Sequence, residues 1–209
     1  MAPVLPEVSR HLQEGQADIE SNTLPMARAH ARLVLLAPEV QVETLFQGVP
    51  AAQHEKCLHV LDSALAQWQS ELQGEVRFVR VPDGQIADVI VRFRPNVTMG
   101  NEQVAGYVNW KRSIDRSADG TINPRFTADV QIRSTNLDGS PMPSNAMRHA
   151  AIHEFGHVLG LDDSPHEGDV MGPLDIDHPV SAPSPLEVQT VLSFRAQAQR
   201  IMDEATVTP

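Results

Sequence analysis

Hydrophobic residues recur along this chain at two spacings, and the two alternate in blocks. Between Ala51 and Leu72, the residues Leu58, Leu61, Leu65, Trp68 and Leu72 follow at three- and four-residue steps, which places them on one face of an amphipathic helix. Residues Pro25 to Ala37 read as a shorter helix with Pro25 in its first turn, and the run Leu33-Val34-Leu35-Leu36 requires a surface to dock on. Met147, Ala150, Ala151, Phe155, Val158 and Leu159 predict a helix from about Asn145 to Leu161. Ser144 is a plausible N-cap for it, and Gly160 falls where it must stop. Ser184-Pro185-Leu186-Glu187 forms a capping-box pattern with proline at the first helical position. It opens a last helix running to about Met202, with Val188, Val191, Leu192 and Ala198 available for packing.

Strand patterns fill the middle of the chain. Val40 to Phe46 alternates, and Val76 to Val81 and Asp88 to Phe93 flank the turn Pro82-Asp83-Gly84. Ala105 to Trp110 and Thr127 to Ser134 are two more candidates, bracketing a polar loop from Asp115 to Pro124. The first 39 residues read as an extension whose start is made irregular by Pro3 and Pro6, and residues 40–209 as one domain. The extension is either a structural brace or a propeptide covering a cleft.

The chemistry concentrates between Met147 and Met171, in MRHAAIHEFGHVLGLDDSPHEGDVM. Residues four apart lie on one face of a helix, so His153 and His157 can aim two imidazoles at one metal ion. Glu154, beside the first of them, can reach a water on that metal. Gly160 lets the chain turn sharply and send Asp163 back toward the histidines, with Asp162 and His166 near enough to compete as third ligand. Two histidines and one carboxylate leave a position open for water, the arrangement that metal-assisted peptide hydrolysis requires. A bare H-E-x-x-H also occurs in helices by chance. Here the glycine, the carboxylate and a downstream Val170-Met171 coincide, which favours a zinc site over a buried structural histidine pair.

HEFGHVLGLDDS followed by DVMGP resembles the metzincin metallopeptidases, and most of all their matrixin branch. Metzincins usually carry histidine as third ligand; Asp163 at this position is similar to snapalysin-like peptidases. Gly172 stands where a tyrosine usually follows the Met-turn methionine. The resemblance spans roughly Val40 to Arg200 and is densest from Ala146 to Pro173. It implies an α+β, metzincin-like catalytic domain. A twisted, mostly parallel sheet would pack on an N-terminal helix and an active-site helix, with a C-terminal helix below the cleft. It implies one catalytic Zn2+ held by His153, His157 and Asp163, with Glu154 as the base that activates the zinc-bound water. Met171 would be a hydrophobic floor rather than a ligand, and Trp68 core packing. Ala105 to Trp110 would be the rim strand that pairs with an extended substrate, and Gly172 to Asp175 would wall the substrate pocket. No H-x-D structural-zinc motif is present, so a single zinc is expected. Relatives of this kind are usually exported, which suggests a secreted or periplasmic setting, although MAPVLPEVSRHLQEGQ lacks the features of a signal peptide.

Composition narrows the partners. With 209 residues, 41% of them hydrophobic, the chain can bury a core. A net charge of -11 argues against a nucleic-acid groove, and no stretch is long and apolar enough to span a membrane. Asp162, Asp163, Glu167, Asp169, Asp175 and Asp177 read as a solvated acidic loop. The sharper alternatives are a preference for basic peptides or weak Ca2+ binding, and Asn136-Leu137-Asp138-Gly139 is a second place to look for calcium. Cys57 is the one cysteine, which excludes an intrachain disulfide. It reads as a small buried hydrophobe, since no cysteine-switch motif surrounds it. The expected function is a zinc endopeptidase acting on peptides or proteins. The alternatives are a zinc-stabilised peptide- or protein-binding module, for which Glu154 would have no use, and a latent zymogen whose N-terminal segment fills the cleft.

Overall fold

In the computed structural model, which describes residues 1–207, the chain begins with two helices, α1 (Pro6–Glu20) and α2 (Leu24–Leu35). The irregular start expected from Pro3 and Pro6 is therefore corrected. Pro6 occupies the first turn of α1, where its fixed φ suits a helix and its missing N–H is no loss. Strand β1 (Glu39–Phe46) follows, then a short 3-10 turn at Ala51–Gln53 that leads into α3 (His54–Glu71). Strands β2 (Arg77–Val81) and β3 (Val89–Arg94) come next, then a small hairpin of β4 (Val97–Met99) and β5 (Glu102–Val104). Two long strands, β6 (Gly106–Arg116) and β7 (Ile122–Arg133), precede α4 (Ser144–Leu159) and α5 (Pro185–Val207).

The five principal strands form one sheet in the order β2-β1-β3-β7-β6. All neighbours are parallel except β6, which runs antiparallel to β7 and forms one edge. Alternation works as expected on β3, where Val89, Val91 and Phe93 are buried and the residues between them are less so. The polar loop expected from Asp115 to Pro124 is half strand. Arg116 pairs with Ile122, and only residues 117–121 form the turn, in which Ser117 N–H donates to Thr121 O and Thr121 N–H donates to Asp119 Oδ1. Cross-strand hydrogen bonds satisfy an exposed two-stranded arm whatever its polarity.

Helices α3 and α4 pack together, and the buried Trp68 of α3 donates its indole N–H to the Ile152 carbonyl of α4 (2.9 Å). Helix α4 is not amphipathic in place: twelve of its residues are buried, His149, Glu154 and His157 among them. Pro143 rather than Ser144 takes its N-cap position, and no side chain caps it. Gly160 ends the helix at φ 115°, and a Cβ there would meet Val8 and Phe194. Helices α1, α2 and α5 form a second cluster, and α2 also touches β6 and β7. Arg112 of β6 links the layers. Its buried guanidinium donates to the Leu33 carbonyl (3.1 Å) and to the Val158 carbonyl near the end of α4 (2.9 Å), and it meets Glu7 of α1 (3.4 Å). The capping box forms as expected: Glu187 accepts from Ser184 N–H (2.6 Å), and Ser184 Oγ accepts from Glu187 N–H (3.3 Å). The helix continues past the expected Met202 to Val207.

Candidate metal centre

Helix α4 delivers His153 and His157 one turn apart, and the left-handed turn at Gly160 returns Asp163 to them. The two Nε2 atoms lie 3.2 Å apart, and Asp163 Oδ1 lies 3.3 Å from each. Tetrahedral zinc with bonds of about 2.0–2.2 Å keeps its ligand atoms roughly 3.3 Å apart, so this triangle fits such an ion. Both tautomers are fixed from behind. His153 Nδ1–H donates to the Val170 carbonyl (3.0 Å) and His157 Nδ1–H to the Leu161 carbonyl (2.9 Å), which leaves each Nε2 lone pair facing inward. When the imidazoles are protonated, hydrogen bonds from His153 and His157 hold the Asp163 carboxyl well below the usual carboxylate range. The two competitors stay outside. Asp162 Oδ1 accepts the Asp163 N–H (2.9 Å), His166 donates its N–H to Ser164 Oγ (3.2 Å), and neither joins the convergent group.

Glu154 lies beside the triangle and is only 4% exposed. Burial pushes its carboxyl up to about 7, against the pull of His153 and His157. Its place depends on Gly106 at the start of β6: a Cβ there would overlap Glu154 Oε1 and lie 2.7 Å from its Cγ. Gly156 serves Met171 in the same way. A Cβ on Gly156 would run into the Met171 sulfur, and Met171 is fully buried. Gly172, where the resemblance leads one to expect tyrosine, packs against the His166 carbonyl so closely that no Cβ fits.

A cleft of about 830 Å³ opens over these groups, lined on one side by Val104 to Trp110 and on the other by Gly172, Pro173, Leu174 and Ile176. Three groups around it were not assigned to the site from the sequence. Trp110 stacks on the His157 ring (5.9 Å between centroids, 20° between planes) and donates its N–H to Glu7 of α1 (2.8 Å). Glu187, fully buried, accepts from the backbone N–H groups of Met171 (2.8 Å) and Val170 (3.3 Å), so the capping-box residue also holds the segment beneath the histidines. Arg133, at the end of β7, lines the cleft with Nε and Nη1 buried and without a hydrogen-bond partner. The sequence signal for Glu187 was present, but only for its local role. For Trp110 and Arg133 there was none beyond their residue type.

Three of the remaining acidic and calcium candidates, Asp169, Asp175 and Asp138, are used locally. Asp169 accepts from Ser164 Oγ–H, Asp175 from the N–H groups of Asp177 and His178, and Asp138 from the N–H and O–H of Ser140. Cys57 is buried within α3 and does not line the cleft.

The matrixin family model matches residues 44–180, which includes the sheet from the end of β1 onward, the histidine helix and the Met171 segment. The chain belongs to the matrixin family. Family membership makes it a metallopeptidase of the zinc-dependent metzincin type. Among solved structures, it is similar to archaemetzincin from Methanopyrus kandleri, at 12% identity and a TM-score of 0.48, covering 76% of this chain and 97% of that one. No curated protein matches it in sequence. Helices α1, α2 and α5 lie wholly outside the matched segment, as do Glu7 and Glu187.

Proposed function

We propose that this matrixin is a zinc endopeptidase whose ion is held by His153, His157 and Asp163 and whose general base is Glu154. The observation that carries the reading is the convergence of those three ligand atoms beside a buried carboxylate, at the free edge of β6. Zinc, when bound, supplies Lewis-acid activation of water and of the scissile carbonyl. The chain's own residues do the rest. The unpaired edge of β6 offers backbone groups to an extended peptide, which aligns the scissile bond over Glu154. Glu154 takes a proton from the attacking water and passes it to the leaving amine, and burial suits its carboxyl to both roles near neutral pH. Met171 is a packed floor beneath the histidines, and the carbonyls of Val170 and Leu161 keep the imidazoles oriented. An aspartate as third ligand follows the snapalysin-like pattern.

Arg133 is the group in the cleft that a substrate would complete. A buried guanidinium lacking partners is costly, and an acidic side chain or terminal carboxylate on the peptide would relieve it. The N-terminal 39 residues act as a brace. No residue before Met99 lines the cleft, and α1 instead supports its wall through Glu7 and Trp110. Deleting residues 1–38, which spares β1, would then lower rather than release activity.

The test is cleavage of casein by the full chain, with zinc supplied, beside Glu154→Gln. Cleavage by the parent and none by the variant supports the reading. Equal cleavage by both removes Glu154 from its role, and no cleavage by the zinc-loaded parent favours a binding module.

A further inference from the structure

We propose that α1 and α2 carry a second divalent-cation site, of the kind that binds zinc, with His11, Glu14 and His30 as its ligands. His11 Nδ1 and His30 Nδ1 face each other at 2.9 Å, and Glu14 Oε2 lies 3.4 Å from the one on His30 and 3.8 Å from the one on His11. Around the roughly 3.3 Å that tetrahedral zinc sets between ligand atoms, this triangle is close to the one in the cleft. Two imidazoles and one carboxylate are a zinc-type donor set, and the half-exposed Glu14 leaves water access to a fourth position.

Three further features suit a metal better than a plain helix contact. His11 and Glu14 are three residues apart on one face of α1, and Gly15 beside them lets α2 come so close that a Cβ there would lie 3.3 Å from His30 Cβ. Both rings are nearly buried, so an ion between them would be shielded from solvent on the side of the imidazoles. The outward nitrogens face carboxylates: His30 Nε2 lies 3.6 Å from Asp18, and His11 Nε2 lies 4.0 Å from Glu7. That is the outer shell that usually orients histidine ligands. Arg10 is the competing group, since it reaches Glu14 at 2.8 Å and His11 Nε2 at 3.3 Å. Its guanidinium is half exposed and can swing out to solvent when a cation takes Glu14.

The ion would pin α1 to α2 one turn from Glu7, the residue that holds Trp110 against His157. It would be structural, because no acid or base lies poised beside an open cleft there. A second ion departs from the single zinc expected from sequence.

The experiment counts zinc. The full chain is stripped with a chelator, loaded with zinc, passed over a sizing column and assayed for metal per chain, with circular dichroism to verify folding. Two zinc ions per parent chain are expected. One is expected after Glu14→Gln with His30→Gln, one after His153→Ala with His157→Ala, and none when all four changes are combined. Loss of even an outer-shell partner costs about 10–100-fold in affinity, so Glu14→Gln alone, at a half-exposed position, is expected to weaken the second ion at least about tenfold. A parent that binds one ion, lost with His153 and His157, overturns the proposal. So does a second ion that survives Glu14→Gln with His30→Gln. Failure of the cleft reading looks different: the His153 and His157 changes would then leave the zinc count untouched.

Discussion

Two regions of this molecule bring two histidines and a carboxylate to similar separations, and their surroundings differ in every respect that matters for chemistry. In the cleft the triangle of His153, His157 and Asp163 adjoins a buried carboxylate, a free strand edge and an open volume. Between α1 and α2 the triangle of His11, Glu14 and His30 adjoins helix backbones, an arginine and two carboxylates that face the rings from behind. The comparison teaches that a ligand set selects an ion, while the neighbours decide what the ion is used for. On the readings proposed above, one of these sites would act on a peptide, and the other would hold two helices together.

The sharpest way to break the contrast is to remove the base. Glu154→Gln is expected to lower kcat by about 10³-fold, within the 10²–10⁴-fold range of general acid–base catalysis, with zinc content unchanged. Loss of metal along with activity would show that Glu154 supports the site rather than the reaction. Next in size is Glu187→Ala, which strands the N–H groups of Val170, Met171 and Ser184. Urea unfolding should show a loss of about 3 kcal/mol, since each hydrogen bond to a charged group contributes about 1.5–3 kcal/mol and part is regained through relaxation. Gly106→Ala should displace Glu154 and cost about 10²-fold in kcat, the scale of a 1 Å misplacement, while both ions remain bound. Arg133→Met should lower kcat/KM about tenfold on peptides carrying an acidic group and leave neutral peptides unaffected, read from paired substrates. The smallest effect belongs to the staple. In the His153→Ala, His157→Ala chain, zinc at about 100 times its Kd should still raise stability by about 2.7 kcal/mol in a thermal scan, with no gain in activity. Stabilisation that persists after Glu14→Gln with His30→Gln would assign it elsewhere.

Much of the cleft was legible because its signals are local. The four-residue step between His153 and His157 and the stop at Gly160 depend only on helix geometry, and the return of Asp163 follows within three residues. The capping box at Ser184 and Glu187 is equally short-range. Strands β1, β2 and β3 came within about two residues of their observed bounds, because buried parallel strands impose apolar positions on the sequence. Helix α1 was missed because its opening prolines read as breakers, although one of them sits where a helix tolerates it best. The extended β6–β7 arm was missed because exposed strand pairs need backbone partners more than an apolar pattern.

By itself the sequence indicated the α+β class and the helix spacing that sets His153 and His157 on one face with Glu154 between them, and it left Asp163, Asp162 and His166 as candidates for the third group. The spacing within the helix depends only on contacts within about ten residues, where covalent geometry fixes the distances. Tertiary structure alone decided that Gly106 makes room for Glu154, that Glu187 holds Met171, and that Arg133 lines the cleft with two guanidinium nitrogens buried and unpartnered. It also brought His11 to His30 across nineteen residues of chain. Side chains far apart in sequence meet only when helices and strands pack, and that packing is set by the summed burial of the core rather than by any one stretch.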